Sequence, residues 1–270
     1  MNKRKKIGLA LGSGGAKGLA HIGVIKTLLE NNIPIDYIAG SSIGAWIAAH
    51  FGLYQDISKL EEYTVLKKKE KFYTLLEPAY KGGIIKGKKL EKLLSKWLEN
   101  ASFKDTKIPI KIVTTDLVSG ESFVISKGSL VTAVHASMAI PTLFKPVEYK
   151  DRFLIDGGVS NPVPDDVVRG MGADIVISVN LDNYQKNEKF GLKDLKIKRT
   201  ASRGLNIMRH YLAEYSIRNS DFIIEPYLPD IGILSWKKYF TKEFGPKIIN
   251  IGVKETKEFI DDIKKEMESD

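Results

Sequence analysis

Ile35-Asp36-Tyr37-Ile38-Ala39-Gly40-Ser41-Ser42-Ile43-Gly44 carries the signals that decide the fold. Ile35 to Ala39 is an apolar run of strand length bounded by Pro34 and Gly40. Gly40 to Gly44 fits G-x-S-x-G, and a helical pattern begins near Ile43. A strand turning sharply into a helix forces the serine at the turn into strained backbone angles, and glycines two residues to either side let neighbouring backbone come close. The helix would aim its first amides and positive dipole end at Ser42, where an anionic tetrahedral intermediate would form. A plain tight turn with a serine N-cap is the competing reading. Only Ser42, and not Ser41, has glycine at both flanking positions.

On either side of this elbow, strand-length apolar runs alternate with stretches of helical period. The pattern predicts an α/β domain with a mainly parallel sheet. Strands are expected at Ile7 to Leu11, Ile108 to Leu117, Glu121 to Ile125, Phe153 to Ile155, Ala173 to Asn180 and Phe222 to Glu225. The Ala173 to Asn180 run is almost continuously apolar, as suits a parallel strand buried on both faces. Helices are expected at Leu19 to Glu30, Leu130 to Ala139, Ser202 to Arg218 and Ile248 to Met267, the last amphipathic. Ile57 to Leu98 reads as two helical stretches around a loop, a candidate cap, and Tyr184 to Lys198 as a polar loop.

The 270 residues, 43% hydrophobic and 28% charged, are enough for one large domain over 1–270. Without cysteine, disulfides and thiolate metal sites are excluded, and a cytoplasmic location is expected. Basic Met1 to Lys6 before Ile7 to Leu11 imitates the start of a secretion signal, but Gly12 to Lys17 interrupts it. A formal charge of +9 permits peripheral contact with an anionic inner-membrane surface. Basic clusters stand at Lys67 to Lys71, Lys86 to Lys89 and Lys237-Lys238, the last among Trp236, Tyr239 and Phe240, a composition suited to lipid headgroups. No nucleic-acid partner is expected.

Gly12-Ser13-Gly14-Gly15-Ala16-Lys17-Gly18 follows the first strand and opens the first helix, so its amides are placed to meet an anion. It is no P-loop, because Lys17 is followed by Gly18 and not Ser or Thr. It fits a dinucleotide fingerprint poorly, with Lys17 at the third glycine position. Adjacent parallel strands share a crevice at their C-terminal ends, so this loop and the elbow would face each other there. Ser13, Gly14 and Gly15 are then candidate oxyanion donors. Asp156-Gly157-Gly158 ends a short apolar strand, where Asp156 could accept the Ser42 proton. A turn or N-cap aspartate is the plainer alternative. His21, His50 and His135 read as core or surface histidines, while His210 follows Asp156 in the chain order of a Ser/Asp/His triad. No metal-ligand motif occurs.

Taken in order, these stretches resemble the patatin-like phospholipase family, in particular its short bacterial members. Gly14 to Gly18 is similar to the family's oxyanion motif, Gly40 to Gly44 to its elbow and Asp156-Gly157-Gly158 to its Asp-Gly motif. Ala136-Ser137 to Pro141 and Asn161-Pro162-Val163-Pro164 extend the likeness over about residues 6 to 182. The resemblance implies a three-layer α/β/α fold and hydrolysis of lipid or phospholipid acyl esters by a Ser42/Asp156 dyad without histidine, metal or cofactor. Ser13 stands where family members often have glycine. A regulatory protein of the same fold with little turnover, or a lipid transacylase, is the alternative. Beyond Leu181 the family pattern says little, so 183–270 forms an extension where substrate choice is expected.

Overall fold

The computed structural model describes residues 4–66, 77–79, 82–182, 191, 195–228 and 244–269. The first half runs β1 (Ile7–Leu11), α1 (Leu19–Glu30), β2 (Tyr37–Ser41), α2 (Ile43–Tyr54), α3 (Ile57–Glu61), α4 (Lys88–Trp97), β3 (Ile110–Asp116), β4 (Ser122–Ile125) and α5 (Leu130–Ser137). There follow β5 (Val147–Tyr149), β6 (Arg152–Asp156), α6 (Asp165–Arg169), β7 (Ile175–Val179), α7 (Ile197–Ser216), β8 (Phe222–Ile224), α8 (Gly245–Lys257) and α9 (Ile260–Glu268). The strands pair in the order β5-β6-β3-β2-β1-β7-β8, with β4 also paired to β3. From β3 through β2, β1 and β7 to β8 the pairing is parallel, as the buried apolar runs predict.

Alternation along the strands divides the core between two faces. Leu9, Leu11, Ile38, Ile112 and Ile177 point to the side covered by α1, α2, α5 and α8. Ala10, Ala39, Val113 and Val176 point to the other, against Val167 and Val168 of α6 and Ala213 of α7. A sheet with period-two side chains and helices on both faces gives the three-layer α/β/α arrangement.

The register explains why two distant segments meet. Ile112 and Val113 pair with both β2 and β4, while Thr114 and Thr115 pair with both β4 and β6. A strand has only two edges, so β2 and β6 share the edge of β3 opposite β4. They arrive from opposite ends, β2 finishing at Ser41 beside Val113 and β6 at Asp156 beside Thr114. The two ends therefore meet over β3, Gly157 lying against Ser41 and Asp156 reaching Ser42.

Several expectations are corrected. β2 is displaced two residues from Ile35–Ala39 because Asp36 is engaged with the backbone of Ile7, while Gly40 and Ser41 continue the ladder to β3. The single C-terminal helix is two helices: the amides of Glu258 and Phe259 bond three residues back, to Glu255 and Thr256, and the break lets α9 turn Ile260 and Ile263 inward. α7 starts at Ile197 instead of Ser202. The edge strand β5, Val147-Glu148-Tyr149, is too short and polar to stand out in sequence. The helical turn Glu62–Leu66 after α3, together with α4, packs over α2 through Trp46, His50, Tyr63 and Trp97, with Trp46 Nε1 donating to Thr64 Oγ1 at 3.0 Å. Residues 67–76 and 80–81 of the expected cap, most of the Tyr184–Lys198 loop, and the Lys67–Lys71 and Trp236–Phe240 clusters lie outside the described residues.

Candidate active site

Ser42 joins β2 to α2 with φ 56° and ψ −119°, a conformation that costs a residue bearing a Cβ about 1–3 kcal/mol. The surroundings hold it there. Its amide donates to Ser137 Oγ at 2.8 Å, Ser137 Oγ donates to the Val113 carbonyl at 2.6 Å, and its own carbonyl accepts from Ala45 N at 2.9 Å. The turn closes tightly because Gly40 lies against the Gly44 backbone and Gly44 against the Leu11 carbonyl, where any Cβ would overlap. Ser42 occupies the N-cap position of α2, yet its side chain makes no cap bond. The hydroxyl instead donates to Asp156 Oδ2 at 2.6 Å.

Asp156 uses both carboxylate oxygens. Oδ1 accepts from Gly158 N at 2.8 Å, capping the turn Gly157–Val159, while Oδ2 faces Ser42. Burial pushes its carboxyl up to about 6; the bonds from Ser42 and Gly158 and the charge of Arg209 draw it back down, and Asp182 opposes them. A carboxyl with that value changes charge about two units above the ordinary aspartate range.

The glycine loop is anchored beside this pair. Gly12 N donates to the Val179 carbonyl at 3.1 Å and Ser13 N to the Pro162 carbonyl at 2.8 Å. The Ser13 amide is thus committed to Pro162, which corrects the expectation that it could serve as an oxyanion donor. The amides of Gly14 and Gly15 have no protein acceptor among the described residues, and Gly15 faces open space. Gly18 abuts Ile43, fixing the loop against the elbow, and Gly158 abuts Ser13, fixing it against the Asp156 turn. Lys17 Nζ donates to the Leu181 carbonyl at 3.1 Å, which tethers the loop.

Three histidines are held neutral by burial. His21 is lowered to about 4 and donates through Nε2 to the Gly12 carbonyl at 2.8 Å, so it braces the loop. His50 is lowered to about 3 in its aromatic cluster, and burial also lowers His135. His210 is buried on α7, its ring tilted 57° against that of Tyr211. Neither Ser42 nor Asp156 bonds a histidine. Among the described residues, no three acidic or histidine side chains converge as a metal site requires.

Sequence reading missed Asp182 and Arg209. Asp182 Oδ2 accepts from Ser13 Oγ at 2.9 Å, and Arg209 holds Oδ1 at 2.6 Å. Asp182 follows β7, next to β1 in the sheet, where a C-terminal strand end opens on the crevice. That position was its available signal. Ser13 thereby spends its hydroxyl as well as its amide on holding the loop.

The site thus sets an elbow serine on a three-layer α/β sheet with a buried carboxylate, and not an imidazole, as its side-chain partner. The patatin-like phospholipase family model matches residues 9–168, and the chain belongs to that family. An uncharacterized NTE family protein of Mycobacterium tuberculosis is 36% identical over 184 residues, covering 67% of this chain and 50% of the relative. Patatin-like phospholipase domain-containing protein 7 of Rattus norvegicus is 32% identical over 193 residues, covering 67% of this chain and 14% of the relative. The chain thus spans about half the length of its mycobacterial relatives and less of the mammalian ones. Among solved structures, VipD from Legionella pneumophila shares the fold with a TM-score of 0.53 at 15% identity, over 97% of this chain and 67% of that one. No described helix is long and apolar enough to cross a membrane.

Proposed function

We propose that the chain is a lipid acyl hydrolase that works through a Ser42/Asp156 dyad. The observation that carries this reading is the 2.6 Å bond from Ser42 Oγ to Asp156 Oδ2 at the mouth of a loop with two unspent amides. Ser42 Oγ attacks the ester carbonyl as its proton passes to Asp156, and the resulting oxyanion is held by the Gly14 and Gly15 amides. Collapse expels the alcohol, which takes the proton from Asp156, and leaves Ser42 acylated. A water then attacks the acyl group, giving its proton to Asp156, which returns it to Ser42 as the fatty acid departs. A carboxylate is a weak base for an alcohol, so the amides and the fixed geometry carry much of the barrier reduction.

The test is hydrolysis of a graded series of soluble p-nitrophenyl esters. His210→Ala should change kcat/KM less than about threefold, since chemistry without imidazole leaves it no proton to carry. A loss comparable with that of Ser42→Ala would move the mechanism to a triad. Absence of turnover in folded wild type, with any cellular role surviving Ser42→Ala, would favour a regulatory protein.

The pH profile gives a second expectation. As a base, Asp156 acts only when ionised, so kcat/KM should rise with pH and level off above an apparent pKa of about 6. A profile already flat from pH 5 would mean that the group at work is an ordinary, unburied carboxylate or none.

A further inference from the structure

We propose that the outward face of α7 is the surface by which this protein docks on an anionic phospholipid bilayer. The inference rests on the lipid-hydrolase reading for its purpose but on separate observations for its evidence. α7 turns His210 and Ala213 toward the sheet, followed by Ile217 just beyond its end. On its opposite side Ile197, Leu205, Met208, Tyr211 and Tyr215 are each 60% to 94% exposed. At 100° per residue these five lie within an arc of about 120°, along about 27 Å of helix. Scattered exposed apolar residues are ordinary, whereas Leu205, Met208, Tyr211 and Tyr215, successive on one side directly opposite the core-facing one, mark an interaction surface, with Ile197 two turns before them.

Charge identifies the occupant. From Lys196 to Arg218 the chain carries six basic residues, Lys196, Lys198, Arg199, Arg203, Arg209 and Arg218, against the single acid Glu214. Arg209 is turned inward onto Asp182. Arg218 lies over the Tyr215 ring, 4.5 Å from its centroid, which places a cation beside an aromatic on the outer side. By the same count Arg199 and Arg203 fall on the side of His210 and Ile217, so the outer face is served by Lys196 at the start of the helix and Arg218 just past its end; apolar and tyrosine side chains between these cations fit the headgroup boundary of an anionic membrane, where the former enter and the latter pair with phosphate. A second copy of the chain would bring a like-charged face against this one, which disfavours self-association.

The position of the helix gives the docking a use. Arg209, on its inner side, holds Asp182, which holds Ser13 at the base of the glycine loop. The helix that meets the bilayer is therefore the one that abuts the catalytic crevice.

Co-sedimentation of the full chain with vesicles tests this, comparing phosphatidylcholine alone with an equal mixture of phosphatidylcholine and phosphatidylglycerol. Wild type should bind the anionic vesicles and bind less as salt rises. The double variant Leu205→Glu, Met208→Glu should bind them roughly tenfold more weakly or worse. Its kcat/KM on a soluble short-chain ester should stay within about twofold of wild type, since neither residue borders Ser42. Met208→Gln alone, at an exposed position, should give an intermediate loss. Undiminished binding by both variants, or no binding by wild type, would overturn the proposal. So would a wild-type dimer that the double variant splits, since the face would then belong to a second copy. Turnover of the soluble ester reports on the hydrolase reading separately, so failure of one reading is distinguishable from failure of the other.

Discussion

Ser42→Ala and Asp156→Asn should each lower kcat/KM for a soluble ester by about a thousandfold or more, and Asp156→Asn should do so in a protein more stable than wild type at neutral pH. The activity loss follows from the direction of one proton. Asp156 Oδ2 now accepts from Ser42 Oγ; an amide nitrogen in its place would donate to that oxygen and leave the nucleophile without a base. The retained amide oxygen can still accept from Gly158 N, so the turn keeps its cap. Stability changes in the opposite sense to activity. Burial raises the Asp156 carboxyl from 3.8 to about 6, so the folded protein favours the protonated form. Ionising it costs nothing below about pH 4, an increasing amount between about pH 4 and 6, and a constant amount above, about 3 kcal/mol for this gap. An uncharged, isosteric amide escapes that cost. Urea denaturation of the two proteins at pH 4 and pH 7.5 measures it: the gain for Asp156→Asn should appear at the higher pH and vanish at the lower. A variant less stable than wild type at pH 7.5 would mean that the bonds from Ser42 and Gly158 outweigh the burial, contrary to the raised value.

Such opposition between activity and stability is expected where a site is assembled against local preference. Ser42 sits at positive φ and Asp156 keeps an ionisable carboxyl out of water, and both are sustained by groups that do no chemistry. Ser137 bridges the Ser42 amide to the Val113 carbonyl, and His21, Lys17 and Asp182 tie down the glycine loop.

The elbow was legible from sequence because its requirement is local. A serine between two glycines, after an apolar run and before a helical pattern, specifies turn, strain and direction within ten residues. β1, α1 and the β3–β4 hairpin were legible for the same reason, their periodicity and turn residues agreeing with the fold. The pairing of Ser42 with Asp156 was readable as motif order, but its physical cause was not. It depends on β2 and β6 sharing one edge of β3 from opposite directions, a fact of register between segments more than a hundred residues apart. Non-local pairing leaves no periodic trace. For the same reason the commitment of the Ser13 amide to Pro162, and of its hydroxyl to Asp182, could not be read from the loop itself. The C-terminal break at Glu258-Phe259 escaped because apolar spacing continues through it, and only burial of Ile260 and Ile263 on a new axis reveals the turn.

Gly44→Ala should destabilise the protein by about 2–4 kcal/mol, reversing the usual preference of a helix interior for alanine. On an open helix the substitution is favourable by about 0.5–1 kcal/mol, because alanine restricts the unfolded chain and gives up no contact. Gly204→Ala in α7 is that case, since a Cβ there meets nothing within 4 Å, and it should stabilise by about this amount. At Gly44 the added carbon would overlap the Leu11 carbonyl and sit 2.9 Å from the Gly12 oxygen, atoms of backbone that cannot rotate aside. Relief requires α2 to move away from the end of β1, and that movement carries the glycine loop with it. The folded fraction of Gly44→Ala should therefore also lose kcat, because Gly14 and Gly15 no longer face the carbonyl attacked by Ser42. Urea midpoints for the two alanine variants and wild type, read alongside ester turnover, separate the outcomes. A Gly44→Ala protein within about 0.5 kcal/mol of wild type would show that the approach of α2 to β1 is looser than the elbow requires, and the positioning argument for the oxyanion amides would fall with it.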